Sequence, residues 1–135
     1  MDKPRIRETH GPEWKIQRDI LRYLRARKWL AEVSNGNLFQ KGWPDLYLSH
    51  VRFGQRWVDV KNPKSYTYTA DQRRKWPDWD AHGVGIWIMV AASDEEYDKL
   101  FQPPNWRAYW KPQWDLEPTI DELMDQLDSE NDRDS

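Results

Sequence analysis

The chain has 135 residues and no cysteine, which excludes a disulfide framework and any zinc site built on thiolates. Histidine is scarce as well. His10, His50 and His82 stand far apart and follow no metal-ligand spacing, so they read as surface or incidental residues. No apolar run approaches the roughly 20 residues of a membrane span, and no segment near the N-terminus has the form of a signal peptide. The expectation is a soluble, cytoplasmic protein with no membrane partner. There is no internal repeat, and the length suits one domain with a modest core.

What is present is unevenly charged. The net charge is only -2, but residues 115–135 hold nine acids against Arg133 alone, while residues 1–114 hold 20 basic and 14 acidic side chains. A basic body with an acidic tail fits a binder of polyanions, and ordinary surface charge with a solubilising tail fits it equally well. Ten tryptophans are many for this length. Indoles stack on bases or sugars, but more often they fill cores. Trp57 and Trp87 fall in strand-like runs, whereas Trp43, Trp76, Trp79, Trp106, Trp110 and Trp114 sit near turns, prolines or charges and are the candidates for exposure.

Three segments are expected: a basic arm over residues 1–11, a domain over 12–114, and an acidic helix and tail over 115–135. Pro12 suits the first turn of a helix reaching about Leu30. At 100° per residue, Ile16, Ile20, Tyr23, Leu24 and Ala31 share one face, with Arg18, Arg22 and Arg25 opposite. Glu13 falls within the apolar face. It is either frayed out at the first turn, where the helix dipole favours it, or aimed inward at positive charge. A weaker strand over residues 31–40 is broken by Asn35-Gly36-Asn37. Strands Leu46–Val51 and Arg56–Val60 follow, joined by a turn containing Gly54. Thr69-Ala70-Asp71-Gln72 is a capping box opening a helix that Pro77 should end or kink. Val84–Ala92 reads as a buried strand, Ser93–Glu96 opens a short helix, and Trp106–Trp110 reads as a last short strand. Thr119–Glu122 starts an amphipathic helix carrying Ile120, Leu123, Met124 and Leu127.

The chemistry lies between Gly42 and Lys61, in Gly42-Trp43-Pro44-Asp45-Leu46 and Asp59-Val60-Lys61. Asp59 and Lys61 share a strand face with Trp57, and antiparallel pairing brings Asp45 near Asp59. Two carboxylates suit a hard divalent cation, and a nearby lysine can position or deprotonate a water. An Asp-x-Lys tripeptide alone arises by chance in a large minority of chains this long, and Pro-Asp alone is a turn dipeptide. Both on adjacent strands, after a helix with an inward Glu, form a far rarer combination.

This order of elements and these motifs resemble the PD-(D/E)XK nuclease superfamily, and within it the VRR-NUC group and the related Holliday junction resolvases, over roughly residues 12–92. The resemblance implies a restriction-endonuclease-like α/β core, an N-terminal helix and then a mixed sheet (αβββαβ) flanked by helices. It implies that Asp45, Asp59 and the Val60 carbonyl ligate Mg²⁺, with Mn²⁺ as a substitute, and that Glu13 completes the site. Lys61 would hold the attacking water or stabilise phosphate charge, and Gln72 would contact the substrate or orient the lysine, unless it is only the capping-box residue. Many relatives carry Glu at the position of Asp59, whose shorter arm should still reach a metal. The implied activity is structure-selective hydrolysis of branched DNA such as four-way junctions, in replication, recombination or repair. Arg18, Arg22, Arg25, Arg73, Arg74 and Lys75 are the candidates for phosphate contacts, which position DNA without reading sequence. Symmetric junction cleavage needs two active sites and so a homodimer, with Ile120–Leu127 or Trp106–Trp114 as candidate interface. The alternatives are a non-catalytic DNA-binding or regulatory protein on a nuclease fold, and a tryptophan-rich carbohydrate-binding module.

Overall fold

Helix α1 (Glu13–Arg25) buries Ile16, Ile20 and Leu24, spaced four apart on one face as the periodicity requires. In the computed structural model, which describes residues 12–34, 40–116, Met124, Asp125 and Leu127, this helix stops short of the expected end near Leu30. Lys28 adopts a left-handed φ of 69°, and the Trp29 N–H bonds back to the Leu24 carbonyl at 3.1 Å. The turn costs about 1–2 kcal/mol for a residue with a Cβ, and burial of the Trp29 ring offsets it. Strand β1 therefore spans Leu30–Val33 rather than 31–40. The Asn35-Gly36-Asn37 turn, the basic arm and most of the acidic C-terminal segment lie outside the described residues; of that last segment, Met124 and Leu127 are described and exposed.

Strands β2 (Leu46–His50) and β3 (Gly54–Val60) form the expected hairpin, with Leu46 opposite Val58 and Tyr47 opposite Trp57. Helix α2 (Ala70–Ala81) crosses over to β4 (Ile86–Met89), which runs parallel to β3. The sheet order is β1-β2-β3-β4, its first three strands antiparallel. Helix α3 (Asp94–Asp98) and 3-10 turns over Lys99–Phe101, Trp106–Tyr109 and Pro112–Leu116 follow. The αβββαβ order and mixed sheet of a restriction-endonuclease-like α/β fold are present. Among the described residues, no helix is long and apolar enough to cross a membrane.

The pleat sorts the strands into two cores. Leu46, Leu48, Val58, Val60 and Met89 face α1, with Ile16, Ile20 and Leu24. The opposite face carries Ile86 and Ile88, covered by Tyr68, Trp76, Trp106 and Trp114. This second core corrects the tryptophan reading: Trp76, Trp106 and Trp114 are buried, and Trp43, Trp79 and Trp110 are half-buried. Proximity to turns and prolines was a poor guide because the 3-10 turns themselves form the lid of this layer. Trp106–Trp110 is accordingly no strand. Trp106 and Trp114 pack inside their own domain.

Pro77 lies inside α2 without ending it. The cost of about 3 kcal/mol for a proline in a helix is met by anchors on either side, Trp76 in the core with its indole N–H on the Gly42 carbonyl at 2.7 Å, and Trp79 against Trp43 and Trp57. The outer edge of β4 is closed by a side chain rather than a strand. Asn105 accepts from the Ile88 N–H at 2.6 Å and donates to the Ile88 carbonyl at 3.2 Å, as a neighbouring strand would.

Candidate active site

The β2–β3 register places Asp45, at the mouth of β2, opposite Asp59. The Asp45 N–H donates to Asp59 Oδ1 at 3.2 Å and the Val60 N–H donates to Asp45 Oδ2 at 2.9 Å, so each carboxylate is tied to the other's strand. Asp59 and Lys61 point to the α2 side and are 1% and 5% exposed. The Lys61 ammonium lies 2.9 Å from Asp59 Oδ2, donates to Gln72 Oε1 at 3.0 Å, and sits under the rings of Tyr68 and Trp76 at 5.2 and 5.7 Å.

Gln72 satisfies both of its sequence readings at once. Its Oε1 accepts from the Thr69 N–H at 3.0 Å, completing the capping box, while accepting from Lys61. Its Nε2 donates to Asp59 Oδ1 at 3.4 Å. The first turn of α2 is thereby fastened to the acid pair. Gly42 makes this close approach possible: its φ is +81°, and a Cβ there would lie 2.7 Å from the Asp71 backbone. Glu13 stands at the rim, exposed, with Oε1 accepting from the Asn62 N–H at 3.3 Å. It faces the end of the Asp59-Val60-Lys61 strand, as an inward orientation would have it, but its carboxylate does not join the buried pair.

The electrostatics are dominated by burial. Burial, then the Asp45 charge, push the Asp59 carboxyl up to about 8, with Lys61 opposing. Asp45 is pushed up as well, first by burial, against the Val60 N–H and Lys61. Burial pushes the Tyr68 phenol up, and its OH donates to the Trp106 carbonyl at 2.7 Å, so it remains a neutral donor. Asp59 Oδ2 is buried and receives no hydrogen bond of good angle, leaving the Lys61 ammonium as its ion partner. An under-satisfied oxygen in a pair of repelling carboxylates fits a hard divalent cation. Among the described residues, no group of three or more acids or histidines converges on one point that could hold a metal, so the fit rests on Asp45 and Asp59, with Val60 and Glu13 beside them.

Among solved structures, the chain superposes on a VRR_NUC domain with a TM-score of 0.53 and 21% identity, over 67% of this chain and 94% of that one. The chain has the fold of a VRR_NUC domain. No protein-family model and no curated protein matches it.

On this VRR_NUC fold the cationic residues fall into two groups. Arg18 and Arg22 line a groove on the outside of α1 with Trp14, Gln17, Leu21 and Arg25. Arg18 pairs with Asp19 at 3.1 Å and lies over the Trp14 ring. Arg25 instead donates twice to the Ala31 carbonyl, at 3.1 and 2.6 Å, and so locks α1 to β1. On α2, Arg73 lies over Trp114, Arg74 pairs with Asp71 at 3.5 Å, and the Lys75 ammonium donates to the Lys41 carbonyl. Sequence reasoning missed Tyr68 and Trp76, which roof the lysine. A signal existed in the helical spacing, since Trp76 follows Gln72 by four residues and shares its face.

Proposed function

We propose that this protein is a divalent-metal-dependent DNA endonuclease acting on branched DNA, four-way junctions included, in replication, recombination or repair. The observation that carries the proposal is the pairing of half-buried Asp45 with buried Asp59 through backbone N–H groups, with Lys61 held between Asp59 and Gln72. The VRR_NUC fold supports it independently.

Asp45 and Asp59, with the Val60 carbonyl and with Glu13 at the rim, would hold Mg²⁺, and Mn²⁺ would substitute. When bound, the ion supplies Lewis acidity toward a phosphate oxygen and a more acidic water. The chain's own residues do the rest. Lys61 presents a buried ammonium beside the acids, where it orients a water and offsets negative charge that builds on the phosphate. Gln72 fixes that ammonium by accepting a hydrogen bond from it, and Tyr68 and Trp76 exclude solvent from its far side. Burial raises both carboxyls, Asp59 to about 8, so cation binding there would be linked to proton release. Arg18 and Arg22 on α1, with Arg73, Arg74 and Lys75 on α2, contact phosphates on either side; Arg25 serves mainly the fold.

A panel of labelled junction, flap, duplex and single-stranded DNAs with Mg²⁺ or Mn²⁺ tests the proposal. Metal-dependent cleavage favouring branched forms is expected. DNA binding with no cleavage of any form would make the protein a non-catalytic DNA binder on a nuclease fold. Cutting both strands of a junction symmetrically calls for a homodimer, which mass measurement in solution checks.

A further inference from the structure

Beside the acid pair lies a cavity of about 430 Å³ lined by Trp43, Trp57, Asp78, Trp79, His82 and Val84. Its three indoles meet edge to face, with centroids 5.3 to 5.7 Å apart and ring planes at 69° to 81°. They form the walls of a corner. Trp76, Trp87, Trp106 and Trp110 donate their indole N–H to the protein, whereas those of Trp43, Trp57 and Trp79, like those of Trp14, Trp29 and Trp114, make no such bond among the described residues. Asp78 and His82 give the corner a polar rim, the His82 ring held by its Nδ1 on the Asp78 carbonyl at 2.7 Å.

Three connections along the chain tie the corner to the site. Trp57 precedes Asp59 by two residues on the same face of β3, about 6.8 Å along the strand. Trp43 precedes Asp45 by two residues in the loop that Gly42 presses against α2. Trp79 shares a face of α2 with Gln72 and Trp76, at spacings of seven and three residues. Lys75 stands between Gln72 and Trp79 on that face, its ammonium on the Lys41 carbonyl just ahead of Gly42 and Trp43.

We propose that this tryptophan corner takes one unpaired nucleobase of the DNA strand being cut, next to the scissile phosphate. The inference rests on the nuclease reading above and narrows its substrate to DNA with an unstacked nucleotide at the cleavage point. A flat apolar wall beside a metal-ready acid pair is what a base needs when its own phosphate lies on the acids. Lys75 adds positive charge between the two, which complements a phosphodiester and opposes a cationic ligand. A base still paired in a duplex cannot enter a corner of three rings without leaving its stack, so the pocket selects strands already opened at a branch, flap or single-stranded end.

The test removes one base at a time. The cut position on the preferred strand is mapped with Mg²⁺, and each flanking nucleotide is then replaced by an abasic residue. One of these positions should slow cleavage about 5- to 150-fold, the range that stacking one base contributes. Trp79→Ala should cut the intact strand correspondingly slower and show no further loss on the abasic one, while Trp79→Phe keeps most of the discrimination and controls for folding alongside thermal melts. Equal abasic effects in wild type and Trp79→Ala, or no abasic effect at any flanking position, would overturn the pocket while leaving the nuclease intact. The same coupling is read in binding, by anisotropy of the labelled strands in EDTA. Coupling in binding without cleavage of any DNA would sink the nuclease reading and keep the base pocket. Trp79-dependent capture of a trimethyl-lysine peptide, with no base dependence in DNA, would replace it with a cation cage.

Discussion

Gln72 is asked to do two things, and two substitutions separate them. Thr69→Ala removes the hydroxyl that accepts from the Gln72 N–H at 3.2 Å but leaves Gln72 on Lys61. Loss of such a cap costs about 1 kcal/mol, a fall of roughly 3–5 °C in Tm for a domain of this size. Gln72→Ala removes the other half of the box and also the acceptor that Lys61 uses at 3.0 Å. A buried ammonium that loses a hydrogen bond costs about 1.5–3 kcal/mol more, so the total should reach about 2–4 kcal/mol. Urea and thermal unfolding of the metal-free protein give the two stabilities, and DNA cleavage gives the two activities. Thr69→Ala should keep cleavage within about threefold of wild type, and Gln72→Ala should lose at least about tenfold because Lys61 is no longer fixed. Gln72→Glu sharpens the comparison: it keeps an acceptor for Lys61 and for the cap, but it exchanges the donor facing Asp59 Oδ1 for a third negative charge. It should be inactive yet more stable at pH 5 than at pH 8. If Gln72→Ala is no worse than Thr69→Ala in both assays, the glutamine is a capping residue and the Lys61 contact contributes nothing.

Other consequences follow from the same geometry. Asp59 is raised on folding, so its contribution is present below the ordinary Asp value of about 3.9 and is lost as pH rises through about 8. Metal-free stability should therefore decline from pH 5 to pH 8, and Asp59→Asn should flatten the decline; a profile that rises with pH in wild type would refute the assignment. At pH 8, Mg²⁺ at ten times its Kd should return about 1.4 kcal/mol, read as a higher urea midpoint, and an unmoved midpoint would count against a metal site. Gly42→Ala should cost about 1–3 kcal/mol and reduce cleavage, because its Cβ meets the Asp71 backbone at a positive φ; unchanged melting would show that the loop can move away. Asn105→Ala strips both bonds from Ile88 and should destabilise by about 1–3 kcal/mol, with faster hydrogen exchange at the Ile88 amide as its local mark.

The site was more legible than its surroundings. Alternation alone puts Asp59 and Lys61 on one face, and a hairpin of this length puts Asp45 across from Asp59. The Thr69–Gln72 capping box is equally local, and it forms as the spacing requires. Long-range packing was not readable. Whether Trp76 is core or surface depends on the layer that covers it, and that layer comes from Trp106 and Trp114, some 30 residues later in the chain. The continuation of α2 through Pro77 rests on distant anchors of its own, the Gly42 carbonyl under Trp76 and the Trp43 and Trp57 rings against Trp79. The end of α1 was obscured because its apolar face runs on into Ala31, which is buried as part of a strand rather than a helix. Arg25 shows the corresponding limit for charge: helical spacing places it with Arg18 and Arg22, but only the fold reveals the Ala31 carbonyl that claims it.

The central claim is that Lys61, beside Asp45 and Asp59, makes this a metal-dependent nuclease. The most direct measurement is the single-turnover rate on branched DNA with Mg²⁺ for wild type and Lys61→Ala, both folded and both binding DNA in EDTA. Wild type should cut only when the metal is present, and Lys61→Ala should fall by about 10²–10³-fold with DNA affinity little changed. Cleavage by Lys61→Ala at the wild-type rate, or no cleavage by wild type on any branched DNA, would contradict it.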